Sequence, residues 1–201
     1  MQRKPFGSML CPVARTLERV GEWWSILILR DAFYGLTRFD QFQVSLGIAP
    51  NMLTRRLNAL VAAGLLARRR YGKHPPRYEY LLTDRGRDFW PVLVALMTYG
   101  NRHFAHEGAA MQLAHAQTGK TVEPVLVDRL SGALLDREHY KLAPGPAANP
   151  ALRMRMQYAD RRRAEQDADV EWAAYVRLRE GTRASKTKRP SSRTRTRRAK
   201  T

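Results

Sequence analysis

The sequence predicts a mainly helical protein with one β-hairpin, followed by a small antiparallel β-ribbon, a further helix and a disordered basic tail. Apolar residues recur at helical spacing through much of residues 12–104. Two β-prone runs flank a Gly-Lys-His-Pro-Pro turn, as expected of a hairpin. Hydrophobic residues make up 44% of the 201 positions, which is enough for a packed core and excludes disorder of the whole chain.

The formal charge of +18 is distributed unevenly along the chain. Residues 1–104 carry a net +9, residues 105–180 are neutral, and residues 181–201 carry a net +9. The last segment has no apolar side chain larger than alanine, so it cannot bury enough surface to offset the entropy of ordering. We expect a disordered tail that associates with polyanions, chiefly nucleic acid, with a purely solubilising tail as the alternative.

Three helices are predicted in the first part of the chain. The first follows Pro12 and has its apolar residues on one side, at Val13, Leu17 and Val20. The second, over residues 23–34, is apolar on almost every side and should lie at the centre of a core. A short third helix, over residues 38–45, is followed by a tight turn at Gly47.

A fourth helix should begin at Pro50, where a missing N–H costs nothing, and end near Ala63, before Gly64. Its predicted core face holds Leu53, Leu57, Leu60 and Val61. At about 100° per residue, the opposite face holds Asn51, Arg55 and Asn58, with Met52, Thr54 and Arg56 on the flanks. A short helix, a glycine turn and a helix with polar amino-terminal side chains form the helix–turn–helix pattern.

The predicted hairpin, with strands over residues 65–71 and 77–82, has a basic tip. A hairpin directly after such a helix is typical of a winged helix–turn–helix, whose helix fits the major groove while the wing reaches phosphates or the minor groove. The predicted partner is therefore double-stranded DNA. The candidate DNA-binding residues are Asn51, Met52, Thr54, Arg55, Arg56, Asn58, Arg68, Lys73, His74 and Arg77.

A long helix is predicted after the hairpin, capped by Thr83 and extending to residue 104, with a bend at Pro91. Its apolar side, at Phe89, Leu93, Leu96 and Met97, exceeds what one small domain covers. Dimerisation is the natural use of such a surface.

Ordered motifs across about residues 9–104 match a known family. They are Cys11-Pro12-Val13, Leu17, Val20-Gly21, the run from Trp24 to Arg30, Arg38-Phe39, the run from Gly47 to Leu53, Arg56-Leu57, Gly64-Leu65, the run from Pro75 to Tyr80, Leu82-Thr83, Gly86 and Pro91-Val92-Leu93. They resemble the HxlR family of bacterial winged helix–turn–helix regulators. The resemblance implies a homodimeric repressor or activator whose first and last domain helices form the interface.

Three features depart from the family pattern. Trp23 stands where a basic residue is usual, and Ala49 stands where Ser or Thr is common before the proline of the recognition helix. Alanine offers no side-chain acceptor at a helix N-cap, a loss of roughly 0.5–2 kcal/mol. In addition, a subgroup of the family carries an appendage resembling a zinc ribbon with cysteine pairs, whereas this chain has one cysteine.

The predicted domain layout is a DNA-binding and dimerisation domain over residues 1–104, a metal-free ribbon over 105–158, an amphipathic helix over 159–180 and a tail over 181–201. Alternation of Leu152, Met154, Met156 and Tyr158 with polar residues indicates a strand that completes the ribbon. No metal or cofactor is expected, because the histidines show no recognisable ligand spacing: His103, His106, His115 and His139.

Cys11 matches a position that serves as a thiol sensor in some members of the family. It lies just ahead of a helix, with Arg15 one turn on, although a free cysteine is more often a small buried hydrophobe. An effector, either a small molecule or an electrophile, is left open. The aromatic residues that could line an effector pocket, or alternatively pack in the core, are Trp23, Trp24, Phe33 and Phe39.

The leading functional hypothesis is a sequence-specific transcriptional regulator that binds a pseudo-palindromic operator as a homodimer. The alternative is a nucleoid-associated or DNA-bridging structural protein driven by the basic tail. An enzyme is not expected, because the chain has no recognisable catalytic triad or phosphate-binding glycine loop. Without an apolar run of membrane-spanning length or a signal peptide at the start, a location in the bacterial cytoplasm, at the nucleoid, is expected.

Overall fold

The computed structural model describes Phe6 and residues 9–164. The chain divides into two compact units, Met1–Asp136 and Arg137–Thr201. Within the described residues, the first unit holds six helices and two strands, and the second holds one helix. The predicted tail, and the part of the predicted helix beyond residue 164, lie outside the described residues. None of the described helices is long and apolar enough to cross a membrane.

The first two helices bring apolar residues into the core of the first unit. Helix α1 spans Pro12–Val20 and helix α2 spans Trp23–Phe33. Ile28 and Leu29 of α2 are fully buried, which confirms the predicted central position of this helix. Its first residue, Trp23, is 78% exposed, so the described residues do not cover the apolar surface of α2 all the way round.

The helix–turn–helix pair forms as predicted. Helix α3 spans Phe39–Leu46 and helix α4 spans Pro50–Ala62. Gly47 closes α3 with φ of 59°, in the left-handed region that favours glycine. The leucines of α4 that face the core are all fully buried: Leu53, Leu57 and Leu60. Because each buried leucine contributes roughly 1.5–3 kcal/mol, this face holds α4 firmly against the domain.

The wing is an antiparallel pair of strands, β1 over Leu66–Gly72 and β2 over Arg77–Leu82. Leu66 pairs with Leu82 at the base, and the register shifts between Arg70 and Gly72 near the tip. The N–H of Tyr80 donates to the carbonyl of Thr37, at 2.7 Å, which ties β2 to the entry of α3. The prediction of a mainly helical fold with a β-wing is confirmed.

The single long helix predicted after the wing is wrong, because the structure has two helices there. Helix α5 spans Asp84–Arg87 and helix α6 spans Trp90–Phe104. Thr83 does cap α5, accepting from the N–H of Gly86 at 3.0 Å. The break precedes Pro91, which lies in the first turn of α6, where its missing N–H leaves no helical hydrogen bond unmade.

The predicted ribbon after α6 is reduced to two short hairpin-like turns. The only bridges in the described residues 105–136 pair Ala114 with Thr121 and Val127 with Leu134. In the second turn the Ser131 hydroxyl donates to Asp128 at 2.6 Å. This bond, with those from the N–H groups of Ser131 and Leu130, lowers the pKa of the Asp128 carboxyl.

In the second unit, the strand predicted over residues 152–158 is wrong. Helix α7 spans Pro150–Ala164 and includes all of them. Pro150 occupies the first helical position, and Asn149 Oδ1 accepts from the N–H of Leu152 at 2.9 Å. Leucine, methionine, arginine and glutamine are all good helix formers, so propensity and the cap prevail over the alternating pattern.

Candidate nucleic-acid interface

The polar face of α4 is open to solvent. Asn51, Arg55 and Asn58 are exposed on the side opposite the buried leucines, as the helical spacing predicts. Thr54, which the same spacing places on the flank, is exposed as well. Met52 is half-buried and packs against the core. The Thr54 hydroxyl donates to the carbonyl of Pro50 at 2.9 Å, which leaves its methyl group and a lone pair for an outside partner.

The amino end of α4 has no side-chain cap among the described residues, as expected for Ala49. The Ala49 carbonyl accepts the first helical bond, from Leu53 at 3.0 Å. The uncapped N–H groups and the helix dipole give this end a partial positive charge. Such an end can accept a DNA phosphate.

Arg56 differs from its neighbours in α4. Its guanidinium lies 3.4 Å from the Glu22 carboxylate, and the side chain is only 16% exposed. Arg56 Nε is buried and has no hydrogen-bond partner among the described residues. In this conformation Arg56 joins α4 to the start of α2, and a phosphate contact requires it to leave Glu22.

Two arginines, one at the N-cap of α3 and one in β1, lie over tyrosine rings. The guanidinium carbon of Arg68 is 3.8 Å from the ring centroid of Tyr78, and that of Arg38 is 4.9 Å from the ring centroid of Tyr71. Stacking fixes a guanidinium without using its N–H donors. Arg38 is not among the residues that the sequence predicts to bind DNA, although its place directly before the helix–turn–helix was a signal for it.

At the wing tip, Lys73, His74 and Arg77 are exposed. Arg70 organises the tip, since its Nε donates to the carbonyl of Gly72 at 2.9 Å and its Nη2 to that of Lys73 at 2.6 Å. Hydrogen bonds from one arginine side chain of β1 therefore join this strand of the wing to the basic tip.

Among Arg68, Arg69 and Arg70, only Arg68 keeps its guanidinium free of a protein acceptor in the described residues. Arg69 Nε donates to Glu79 at 2.6 Å. Glu79 is the only acidic residue between positions 66 and 82, against five lysines and arginines. The wing thus keeps a net positive charge even with this ion pair formed.

Cys11, the candidate redox residue, is half-buried and unpaired at the N-cap of α1. Arg15 lies one turn on, but its Nε donates to the carbonyl of Met9 at 2.9 Å. Redox sensing at Cys11 therefore stays a prediction. Its test is loss of DNA binding on diamide treatment in the unmodified chain but not in Cys11→Ser.

The aromatic residues proposed for an effector pocket separate in the structure. Trp24 and Phe39 pack against the core, and Trp23 is largely exposed. Phe33 lines a cavity, with its ring 5.1 Å from that of Trp90. No cluster of three or more His, Cys, Asp or Glu side chains suited to a metal occurs in residues 9–164.

The fold and this interface define a winged helix–turn–helix DNA-binding protein. Residues 19–108 match the HxlR-like helix-turn-helix family. A relative from Mycobacterium tuberculosis, an uncharacterised HTH-type transcriptional regulator, is 40% identical over 141 residues, covering 70% of this chain and 89% of its own length. The chain belongs to the HxlR-like family of transcriptional regulators.

Two of the solved structures that resemble the chain extend over most of it. One is a candidate transcription factor from Pseudomonas aeruginosa, PA1374, with 52% identity and a TM-score of 0.55, covering 72% of this chain and 99% of its own. The other is the candidate transcription factor PA1607, with 38% identity and a TM-score of 0.63, covering 70% of this chain and 99% of its own. Both likenesses extend beyond the winged domain into the region that follows it.

Proposed function

We propose that this protein is a homodimer that recognises a pseudo-palindromic DNA operator through the exposed face of α4. The observation that carries the proposal is the division of α4 into two faces. Its leucines are fully buried, while the polar side chains of its amino-terminal turns are exposed. A helix fixed by one face and polar on the other is suited to the major groove.

The exposed side chains have the chemistry to distinguish base pairs. The guanidinium of Arg55 can donate two hydrogen bonds to one guanine, and the amides of Asn51 and Asn58 can pair with adenine. Thr54 offers its methyl group to the methyl of thymine. Met52 lies at the flank of this set, where a half-buried apolar side chain can contact a base edge or a sugar.

The basic residues beside α4 are assigned to the DNA backbone and the minor groove. They are Arg38, Arg68, Lys73, His74 and Arg77, all of which are exposed. Backbone contacts of this kind set the position and supply affinity without reading sequence. Arg56 is assigned instead to holding the recognition helix in place, through Glu22.

Exposed apolar residues on α1 and α6 support the homodimer. Val13 and Leu17 of α1 are 65% and 43% exposed, and Tyr99 and Phe104 of α6 are 57% and 67% exposed. Apolar side chains in such number on two helices indicate a protein interface. A dimer of this kind would place its two recognition helices about 34–36 Å apart, on successive turns of one DNA face.

The regulator is proposed to act on chromosomal DNA in the bacterial cytoplasm, as repressor or activator, under the control of an effector. Selection of bound fragments from random duplex DNA by the full chain tests the operator. We expect enrichment of an inverted repeat with half-sites one helical turn apart, or a multiple of it. Enrichment of a single unrepeated site contradicts the dimer, and absence of any enriched sequence contradicts specific recognition.

A further inference from the structure

We propose that a cavity between α2, α6 and residues 110–113 binds a small aromatic carboxylate. The inference rests on the proposed regulator in one respect only, namely that this ligand would be its effector. The binding itself stands on the geometry of the cavity, and it can be measured without DNA.

The cavity has the size and lining of a ligand site. Its volume is about 490 Å³, within the range of roughly 300–1,000 Å³ common for small-molecule pockets. Its walls are apolar side chains of α2 and α6, including Ile26, Leu27, Phe33, Trp90, Leu93 and Met97. The rings of Phe33 and Trp90 meet at 48° and provide flat surfaces for an aromatic ligand.

Gly100 opens the cavity from the middle of α6. A glycine inside a helix is destabilising relative to alanine, so its presence calls for a reason. No heavy atom of the described residues lies within 4 Å of the position where a Cβ would be, so close packing among these residues does not require the glycine. What the missing side chain provides is space in the cavity wall.

One cationic group faces this apolar space. Arg30 is the only charged side chain among the described residues that line the cavity. Its Nε and Nη2 lie 2.9 Å and 2.8 Å from Asp31 Oδ1, and the side chain is 35% exposed. The ion pair with the fully buried Asp31 fixes the guanidinium and balances its charge, and it leaves Nη1 as a donor for a ligand carboxylate.

Residues 110–113 are held against the two helices by polar contacts. The Tyr34 hydroxyl lies 2.7 Å from Met111 Sδ, and Asn101 Nδ2 donates to the Met111 carbonyl at 2.8 Å. Residues of α2, α6 and the 110–113 segment therefore form three walls of a cleft that is open to solvent. An apolar cavity with one guanidinium donor suits a ligand that has an apolar body and one carboxylate.

Calorimetric titration of the full chain with naphthoate, and with the neutral naphthamide of the same shape, tests the site. We expect naphthoate to bind about tenfold or more tightly than naphthamide, because only the carboxylate pairs with Arg30. Arg30→Gln should remove that preference while naphthamide binding persists. No binding of naphthoate to the unmodified chain, or equal binding of the two probes, overturns the proposal.

Gly100→Leu fills the cavity, and Gly100→Ala is the matched control, since both raise the helix propensity of α6. We expect Gly100→Leu to weaken naphthoate binding at least about tenfold and Gly100→Ala to change it little. Unchanged naphthoate affinity in Gly100→Leu overturns the site. Light scattering on the same variants measures the oligomeric state and so tests whether a second copy of the chain occupies the cavity. If Gly100→Leu dissociates a dimer and naphthoate does not bind to the unmodified chain, the cavity receives a second copy and the proposal is overturned.

Failure of this proposal is distinguishable from failure of the proposed function. Operator binding by the ligand-free chain is measured separately, by fluorescence anisotropy of labelled DNA. If the chain binds naphthoate but no specific DNA, the proposed ligand site stands and the proposed regulatory function is wrong. If the chain binds its operator but not naphthoate, the proposed regulatory function stands and the proposed ligand site is wrong.

Discussion

Helices α4 and α6 of the first unit distribute their apolar residues in opposite ways. α4 buries its leucines completely and exposes a polar face. Of the 15 residues of α6, all of them described, none is buried, although most are apolar. A polar exposed face is suited to a polar partner such as DNA. An apolar exposed face is suited to another protein surface or to a ligand.

The largest effect expected from this comparison is on folding. Leu57→Ala removes a fully buried side chain from α4, and we expect it to lower the free energy of unfolding by about 2–5 kcal/mol. Denaturant unfolding measured by circular dichroism checks this. Val44→Ala, at an 85% exposed position of α3, is the matched control and should change stability by less than about 0.5 kcal/mol.

The next effect is on assembly. Tyr99→Glu places a charge on the exposed face of α6, and we expect it to raise the dimer dissociation constant by about a hundredfold. Sedimentation at a series of concentrations measures this, with circular dichroism to show that the helices persist. If Tyr99→Glu has the same dimer dissociation constant as the unmodified chain, α6 does not contribute to the dimer interface at this position.

Base recognition by α4 should show a smaller, position-dependent effect. Arg55→Ala is expected to cost about 1–3 kcal/mol on the operator and to relax preference at one base pair. Lys73→Ala should weaken all duplexes alike and lower the salt slope by about one. Arg129→Ala, an exposed arginine outside the winged domain, is the charge-matched control. If Arg55→Ala distinguishes the operator from other duplexes as well as the unmodified chain does, the assignment of the DNA-reading face of α4 is wrong.

The smallest effect is at the uncapped start of α4. Ala49→Ser supplies the missing acceptor and should add about 0.5–2 kcal/mol, seen as a higher Tm. Ala49→Val, which offers no acceptor, should not raise it. A serine variant that melts at or below the Tm of the unmodified chain contradicts the cap geometry.

Much of the winged domain was predictable because its local signals agree. Helical spacing of the leucines, Pro50 at a first helical position and Gly47 in a left-handed turn all indicate the same helix–turn–helix. The chain gave weaker signals further on. Pro91 was compatible with a bent helix as well as with the observed break, because one proline can either kink a helix or begin one.

Other features depended on tertiary structure or on competing local preferences. α7 contains a residue alternation that also suits a strand, and only its proline start and asparagine cap decide for a helix. The position of Arg56 on α4 predicts a side chain available to contact DNA. Its pairing with Glu22 depends on how α2 and α4 pack, which the sequence does not show. The cavity at Gly100 depends on three elements far apart in sequence, so no local pattern reveals it.

The central claim is that sequence recognition resides in the winged domain, whereas the rival account places DNA binding in the basic residues 181–201. The most direct measurement is the ratio of Kd values for the selected operator and a shuffled duplex, using a chain that lacks those residues. The account predicts weaker binding and a shallower salt dependence, with the operator still preferred by at least about a thousandfold. Equal affinity for both duplexes would contradict it.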